Sequence, residues 1–221
     1  MRNDERLRTI YEVMAPYIVR NEHNWRDYLA FASQFHKHSF DNILLVYAQD
    51  EDVSILATRK QWAAIGRNLI PRAKGVAVCV YRNAKLTLDY LFDVSQTTGK
   101  EIHPTDWQLS DEMKEALTER LSYAHGFPKQ GFSQALYALA SESVADNYNH
   151  FLQELKQETK GHLFTEIPAG GFEAQYIQLL TDSISYFIGK KCHLPDEEIQ
   201  LSDGMATVSH FNTLPLVANL G

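Results

Sequence analysis

GVAVCVYRNAKLTLDYLFDV, residues 75–94, is the stretch whose reading decides the fold. Gly75 to Tyr81 is rich in β-branched residues and reads as the clearest strand of the chain. Arg82–Lys85 is polar and reads as a hairpin-like turn. Leu86–Val94 alternates well enough to be the partner strand. A small antiparallel sheet therefore stands in the middle of the first half, and the chain around it turns helical.

Upstream, residues 4–20 place Leu7, Ile10, Tyr11, Met14, Tyr17 and Ile18 at helical spacing, with Pro16 expected to end or kink the helix because it has no N–H to donate. A second helix is expected over Asn24–Phe35. A third is expected over Phe40–Ala48, with Ser39 as its N-cap. His36 and His38, between them, read as polar turn residues, since no further ligand set stands at metal spacing. Ser54–Thr58 is a candidate short strand. Arg59–Ile65 follows as a helix capped by Thr58 and stopped by Gly66.

Downstream, Thr97–Thr105 is polar, contains Gly and Pro, and is expected to be a linker. It separates residues 1–100 from a mainly helical second half, 105–221. There Ser110 caps an amphipathic helix that ends at Gly126, and Phe132–Leu155 carries another helical pattern. After a turn at Pro168–Gly171, the most apolar helix covers Phe172–Cys192, with Tyr176, Leu179, Leu180, Ile184, Phe187 and Ile188 expected to face inward. The expected fold class is α+β: helices packed on a small antiparallel sheet, then a mainly helical second half.

Charge divides the chain as well. The net charge is −7 over 221 residues. Residues 1–104 hold 14 Lys/Arg against 12 Asp/Glu, and residues 105–221 hold 7 against 16. Between Val53 and Leu88 there are seven basic residues and no acid. By charge alone this block reads either as a solvated face or as a surface that meets an anion, a nucleic-acid backbone above all. Single strands are held by cations that follow phosphates and by rings that stack on bases. The block interleaves both: Trp62 follows Arg59-Lys60, and Tyr81 precedes Arg82. The candidate nucleic-acid-binding residues are Arg59, Lys60, Trp62, Arg67, Arg72, Lys74, Tyr81 and Arg82, with core packing the competing reading for both rings.

The two cysteines, Cys79 and Cys192, are expected to be reduced and half-buried, as in a cytoplasmic protein. The opening residues are charged and no apolar run reaches membrane-spanning length, so no membrane partner is expected. No phosphate-binding loop, dinucleotide fingerprint, nucleophile elbow or HExxH motif occurs, His162 to Glu166 having the wrong spacing. The expectation is a binding protein, not an enzyme, with no cofactor.

Four pieces taken together resemble the N-terminal domain of ArdC-type antirestriction proteins: Ser39-Phe40 with Ile43-Leu44-Leu45 and Ala48-Gln49, Ala57-Thr58 with Gln61-Trp62 and Gly66-Arg67, Lys74–Val78, and Leu91–Thr97. The resemblance covers residues 5–100. It implies a single-stranded-DNA-binding domain of proteins from conjugative and other mobile elements. The basic turn departs from the family's richer Lys-Lys-Gly-Glu-Lys-Gly type of element, being Ile70-Pro71-Arg72-Ala73-Lys74-Gly75 here. In that family the second half is a zinc metallopeptidase-like domain. Tyr176–Leu194 is distantly similar to one of its helices, but without HExxH neither zinc nor peptidase activity carries over. The other reading is a protein-interaction module whose acidic second half binds a DNA-processing or defence enzyme.

Overall fold

Strand β3 (Val76–Arg82) has β4 (Lys85–Asp93) on one side and a helix, α3 (Phe40–Gln49), on the other. The computed structural model describes residues 3–35, 37–83, 85–102, 109–127, 131–159 and 171–221, with residues 3–4 and 155–159 described by their backbone alone. His36, His162, Glu166, the Pro168–Gly170 turn and the end of the expected linker lie outside the described residues. The fold is α+β, with a three-stranded antiparallel sheet, a two-stranded ribbon and a helical second half.

The chain divides into two compact units. One is Met1–Met14 with Gln34–Asp106, and the other is Ala15–Ser33 with Trp107–Gly221. Residues 15–33 thus group with the second unit, not with the 1–100 segment that charge and composition marked out. Divided this way, the first unit carries a net +1 and the second −8.

In the first unit the sheet order is β1 (Leu56–Thr58), β4, β3. Ser39 caps α3 by accepting from the Asn42 N–H, as its sequence predicts. Asn42 and Gln49, two turns apart on α3, then grip the outer edge of β3. The Asn42 amide takes the Cys79 N–H at 2.8 Å and gives to the Cys79 carbonyl at 2.8 Å. Gln49 does the same at Ala77, at 3.0 and 2.9 Å. These backbone groups point away from β4, so two side-chain amides stand where a neighbouring strand would otherwise pair.

Helix α4 (Arg59–Ala64) begins with a full capping box between Thr58 and Gln61. It stops at Gly66, whose φ is +82°. The polar segment expected to be linker starts instead as a strand. Thr97–Gly99 (β5) pairs with Arg67–Leu69 (β2). Three-residue strands are too short to show a period, which is why the sequence hides this ribbon. Gly99 is required there, because a Cβ would come within 2.4 Å of the Gly66 carbonyl oxygen.

Asp93, at the end of β4, is buried and joins three segments. It accepts from the N–H groups of Ser54 (2.6 Å), Ile55 (3.1 Å) and Ser95 (2.7 Å). Burial opposes its ionisation, but the backbone donors outweigh burial and hold its carboxyl below the usual value.

The second unit is built on α7 (Phe172–Lys191), which packs against α2 (Glu22–Ala32), α6 (Phe132–Thr159) and a 3-10 segment, Gly204–Phe211. The face that α7 buries is not the one its apolar pattern predicts. Tyr176 and Leu179 are inside, but so are Thr181, Asp182, Ser183, Ser185 and Gly189, while Leu180, Ile184, Phe187 and Ile188 are half-buried. Partners distant in sequence satisfy two of these polar groups. Asp182 accepts from the Ser202 N–H, the Ser202 hydroxyl and the Gly204 N–H. The Ser183 hydroxyl accepts from the Trp25 indole N–H at 2.8 Å. Polar residues held by specific bonds can take interior places that periodicity assigns to apolar ones. Helix α1 (Asn3–Ile18) runs two residues past Pro16, which lies in its last turn and removes a single helical bond there. The apolar tail forms α8 (Leu214–Leu220) and packs against α6.

Two predictions test this construction. Asn42→Ala should cost about 1–3 kcal/mol in urea unfolding, because it strands a part-buried N–H and carbonyl on the β3 edge, and Gln49→Ala about 0.5–1.5 kcal/mol, because water reaches the groups it leaves. A Gln49→Glu exchange, which keeps an acceptor and loses the donor, should cost less than Gln49→Ala. The lowered carboxyl of Asp93 gives the second. Its stabilisation is complete above the unfolded-state value of about 4 and drains away as the pH falls through that value and the lower native one. Urea midpoints of the wild type should therefore fall on acidification more steeply than those of Asp93→Asn.

Candidate nucleic-acid interface

A β-strand sends successive side chains to opposite faces, so the register of β3 and β4 sorts the candidate site. Val76, Val78, Val80 and Arg82 share one face with Leu91, Asp89, Thr87 and Lys85. Ala77, Cys79 and Tyr81 share the other with Tyr90, Leu88 and Leu86. Phe92, opposite Ala57, continues that second face. The first face supplies core residues: Val76, Val78 and Leu91 are buried.

The second face is open, although its β4 positions read as the more apolar set. Tyr81 is 78% exposed, Leu86 55% and Tyr90 44%. Cys79 and Leu88 between them, and Phe92 beyond Tyr90, are half-buried. Exposed large apolar side chains gathered on one surface mark an interaction site more often than scattered ones do. At one end the rings of β4 lie over a thinned β3. A Cβ on Gly75 would come within 2.9 Å of the Phe92 ring and 3.0 Å of the Tyr90 Cβ. At the other end the hairpin stands clear of its supports. β1 pairs only with residues 91–93, and α3 grips only residues 77 and 79.

The eight predicted residues divide on this frame. Trp62 is 1% exposed, and its indole N–H donates to the Phe92 carbonyl at 2.8 Å. It belongs to the core between α4 and the sheet, and the stacking role considered for it is withdrawn. Arg67 spends its guanidinium on the β2–β5 ribbon. Its Nε donates to Thr97 Oγ1 at 2.7 Å, Nη2 donates to the Thr97 carbonyl at 3.0 Å, and Nη1 donates to the Lys100 carbonyl. Arg82 pairs with Asp89 at 2.6 Å and projects from the face opposite Tyr81, so the pleat separates a ring and a cation that adjoin in sequence.

Arg59, Lys60, Arg72, Lys74 and Tyr81 are left on the surface. The four cations form no ion pair among the described residues. Arg59 and Lys60 occupy the first turn of α4, where the helix dipole disfavours positive charge. Arg72 has a φ of +65°, a left-handed conformation that suits glycine and costs a side-chain-bearing residue roughly 1 kcal/mol. Lys74 directly precedes Gly75, the residue beneath Phe92 and Tyr90. The Arg72–Lys74 turn therefore adjoins the Tyr90 end of the open face.

The main residues that sequence reasoning left out of the site are Tyr90 and Leu86. Their signal was present in the alternation of Leu86, Leu88, Tyr90 and Phe92, but such a stripe on a half-buried strand is ordinarily assigned to the core. What the site offers is a neutral, ring-bearing strip with unpaired cations at one end and no acidic side chain on the strip itself. No family model, curated protein or solved structure matches the chain.

Proposed function

We propose that the chain binds single-stranded DNA without sequence preference through the open face of the β3–β4 hairpin. The carrying observation is the exposed Tyr81–Leu86–Tyr90 strip beside the unpaired cations Arg72 and Lys74. Rings with free faces stack on any base, because every base has a π-face, and unpaired cations meet phosphates without first breaking an ion pair. The resemblance to the N-terminal domain of ArdC-type proteins supports a role in handling DNA that enters a cell through conjugation or another mobile element. No helix of the described residues is long and apolar enough to cross a membrane.

A second reading has its own observation. In the second unit, helix α5 (Asp111–His125) buries Thr118 and Ser122 and leaves Met113, Leu117 and Tyr123 exposed. An open cleft of about 650 Å³ between α5, the start of α6 and residues 194–200 is lined by Glu115, Glu119, Glu197 and Glu198, with one cation, Lys114, which lies 3.9 Å from Glu198. With a net charge of −8 on this unit, the surface suits a cationic protein segment.

Fluorescence anisotropy of a labelled single strand and its duplex, at low and physiological salt, tests the first reading. Binding should favour the single strand and weaken steeply with salt. Arg72→Glu with Lys74→Glu should nearly abolish it and flatten the logarithmic salt slope by about 1.4, at roughly 0.7 per lost phosphate contact. Arg82→Gln, on the opposite face, should change affinity far less. Arg72→Gly should weaken binding while leaving stability within about 0.5 kcal/mol, since it removes a cation and relaxes a left-handed backbone together. Equal binding by wild type and the double reversal sinks this site. For the second reading, a labelled lysine–leucine amphipathic peptide should bind the wild type and lose most of its affinity to Glu115→Lys with Glu197→Lys. Indifference to that pair removes it.

A further inference from the structure

The register of the hairpin fixes more than the presence of two exposed tyrosines. Tyr90 stands opposite Ala77 and Tyr81 stands opposite Leu86. The two rings are thus one strand apart across the sheet and four residues apart along it, about 13 Å at the rise of a strand. Between them lie Cys79 and Leu88, with Leu86 beside Tyr81, all on the same face and none carrying a charge. Arg72 and Lys74, exposed and in no ion pair among the described residues, lead into Gly75 beneath Phe92 and Tyr90, whereas Lys85 at the tip shares the opposite face with Arg82.

On the single-strand reading above, we infer that the DNA lies lengthwise along the hairpin. One base stacks on Tyr90 beside the cationic turn, a second stacks on Tyr81 at the free tip, and the intervening nucleotides cross the Leu88–Cys79 floor. A path across the strands would meet only one of the two rings. At the stacked rise of about 3.4 Å per nucleotide, some four steps join the rings, and an extended strand needs fewer. The footprint is therefore about three to five nucleotides. Tyr90 becomes a binding residue equal in weight to Tyr81, and the floor between them accepts bases by apolar contact alone, which gives no donor or acceptor to distinguish one from another.

The test is a length series of fluorescein-labelled oligothymidylates of two to twelve nucleotides, titrated by anisotropy at low salt into the full chain. Affinity should climb steeply to about five nucleotides and thereafter grow only in proportion to the number of registers a longer strand offers. Tyr81→Ala and Tyr90→Ala should each weaken the five-nucleotide strand by roughly tenfold. Thermal melts should stay close to wild type, because both side chains are substantially exposed. Affinity that keeps climbing steeply to twelve nucleotides overturns the footprint. Sensitivity to Tyr81→Ala with indifference to Tyr90→Ala overturns the lengthwise path. In both of those cases single-strand binding itself survives. Failure of every length to bind overturns the single-strand reading together with the path, and sedimentation of the same samples then shows whether the face instead joins two copies of the chain.

Discussion

Two side-chain amides hold the β3–β4 hairpin of this molecule in place. Asn42 and Gln49 each bond both the N–H and the carbonyl of one β3 residue, as a neighbouring strand would. An unpaired edge invites other chains to add to it, and here a helix blocks it by side-chain chemistry rather than by bulk. The grip also fixes register. A slip of one residue along β3 would turn its bonding groups away from α3 and carry every side chain to the opposite face. Because α3 is engaged along the edge, the broad face bearing Tyr81 and Tyr90 remains uncovered.

Much of the charge that looks available for chemistry is consumed in folding. Asp93 draws the entry to β1 and the exit from β4 onto one carboxylate. Arg67 closes the β2–β5 ribbon through Thr97 and Lys100. Asp182 ties the Ser202–Gly204 turn to α7, where a Cβ on Gly204 would stand 2.5 Å from the Gln178 backbone. Charge-bearing side chains whose bonding is this complete have little left to give a ligand. The surface that could do work is thereby narrowed to a few unpaired cations and a strip of rings.

Legibility in the sequence follows the same division. The caps at Ser39, Thr58 and Ser110, the stops at Gly66 and Gly126, and the hairpin itself were readable because each rests on a local rule with a strong residue preference. The β2–β5 ribbon was not, since a three-residue strand has no period to display. The inner face of α7 was misassigned because Asp182 and Ser183 are stabilised by residues distant in sequence, which a periodic pattern cannot see. Within the candidate site, composition located the cations but could not tell that Arg67 and Arg82 were already engaged. Composition also credited Trp62 and passed over Tyr90, because burial depends on which face of a strand meets the helices. All four pieces of the ArdC resemblance include residues that do structural work: Gln49, Thr58, Gln61, Trp62, Arg67, Asp93 and Thr97 bond within the fold, and Val76 and Val78 are buried in the sheet. A motif of that kind carries information about scaffold before it carries information about ligand.

The pleat of the hairpin also bears on how such a protein can change over time. Residues of one parity hold the sheet to its helices, and residues of the other parity face outward with little packing to defend. Drift at positions 81, 86, 88 and 90 therefore alters the chemistry of this outward face while the amide grip and the Asp93 junction stay untouched. Lineages built on this scaffold should diverge most in the chemistry of that face and least in how they fold, with the two histories written on alternate residues of the same strand.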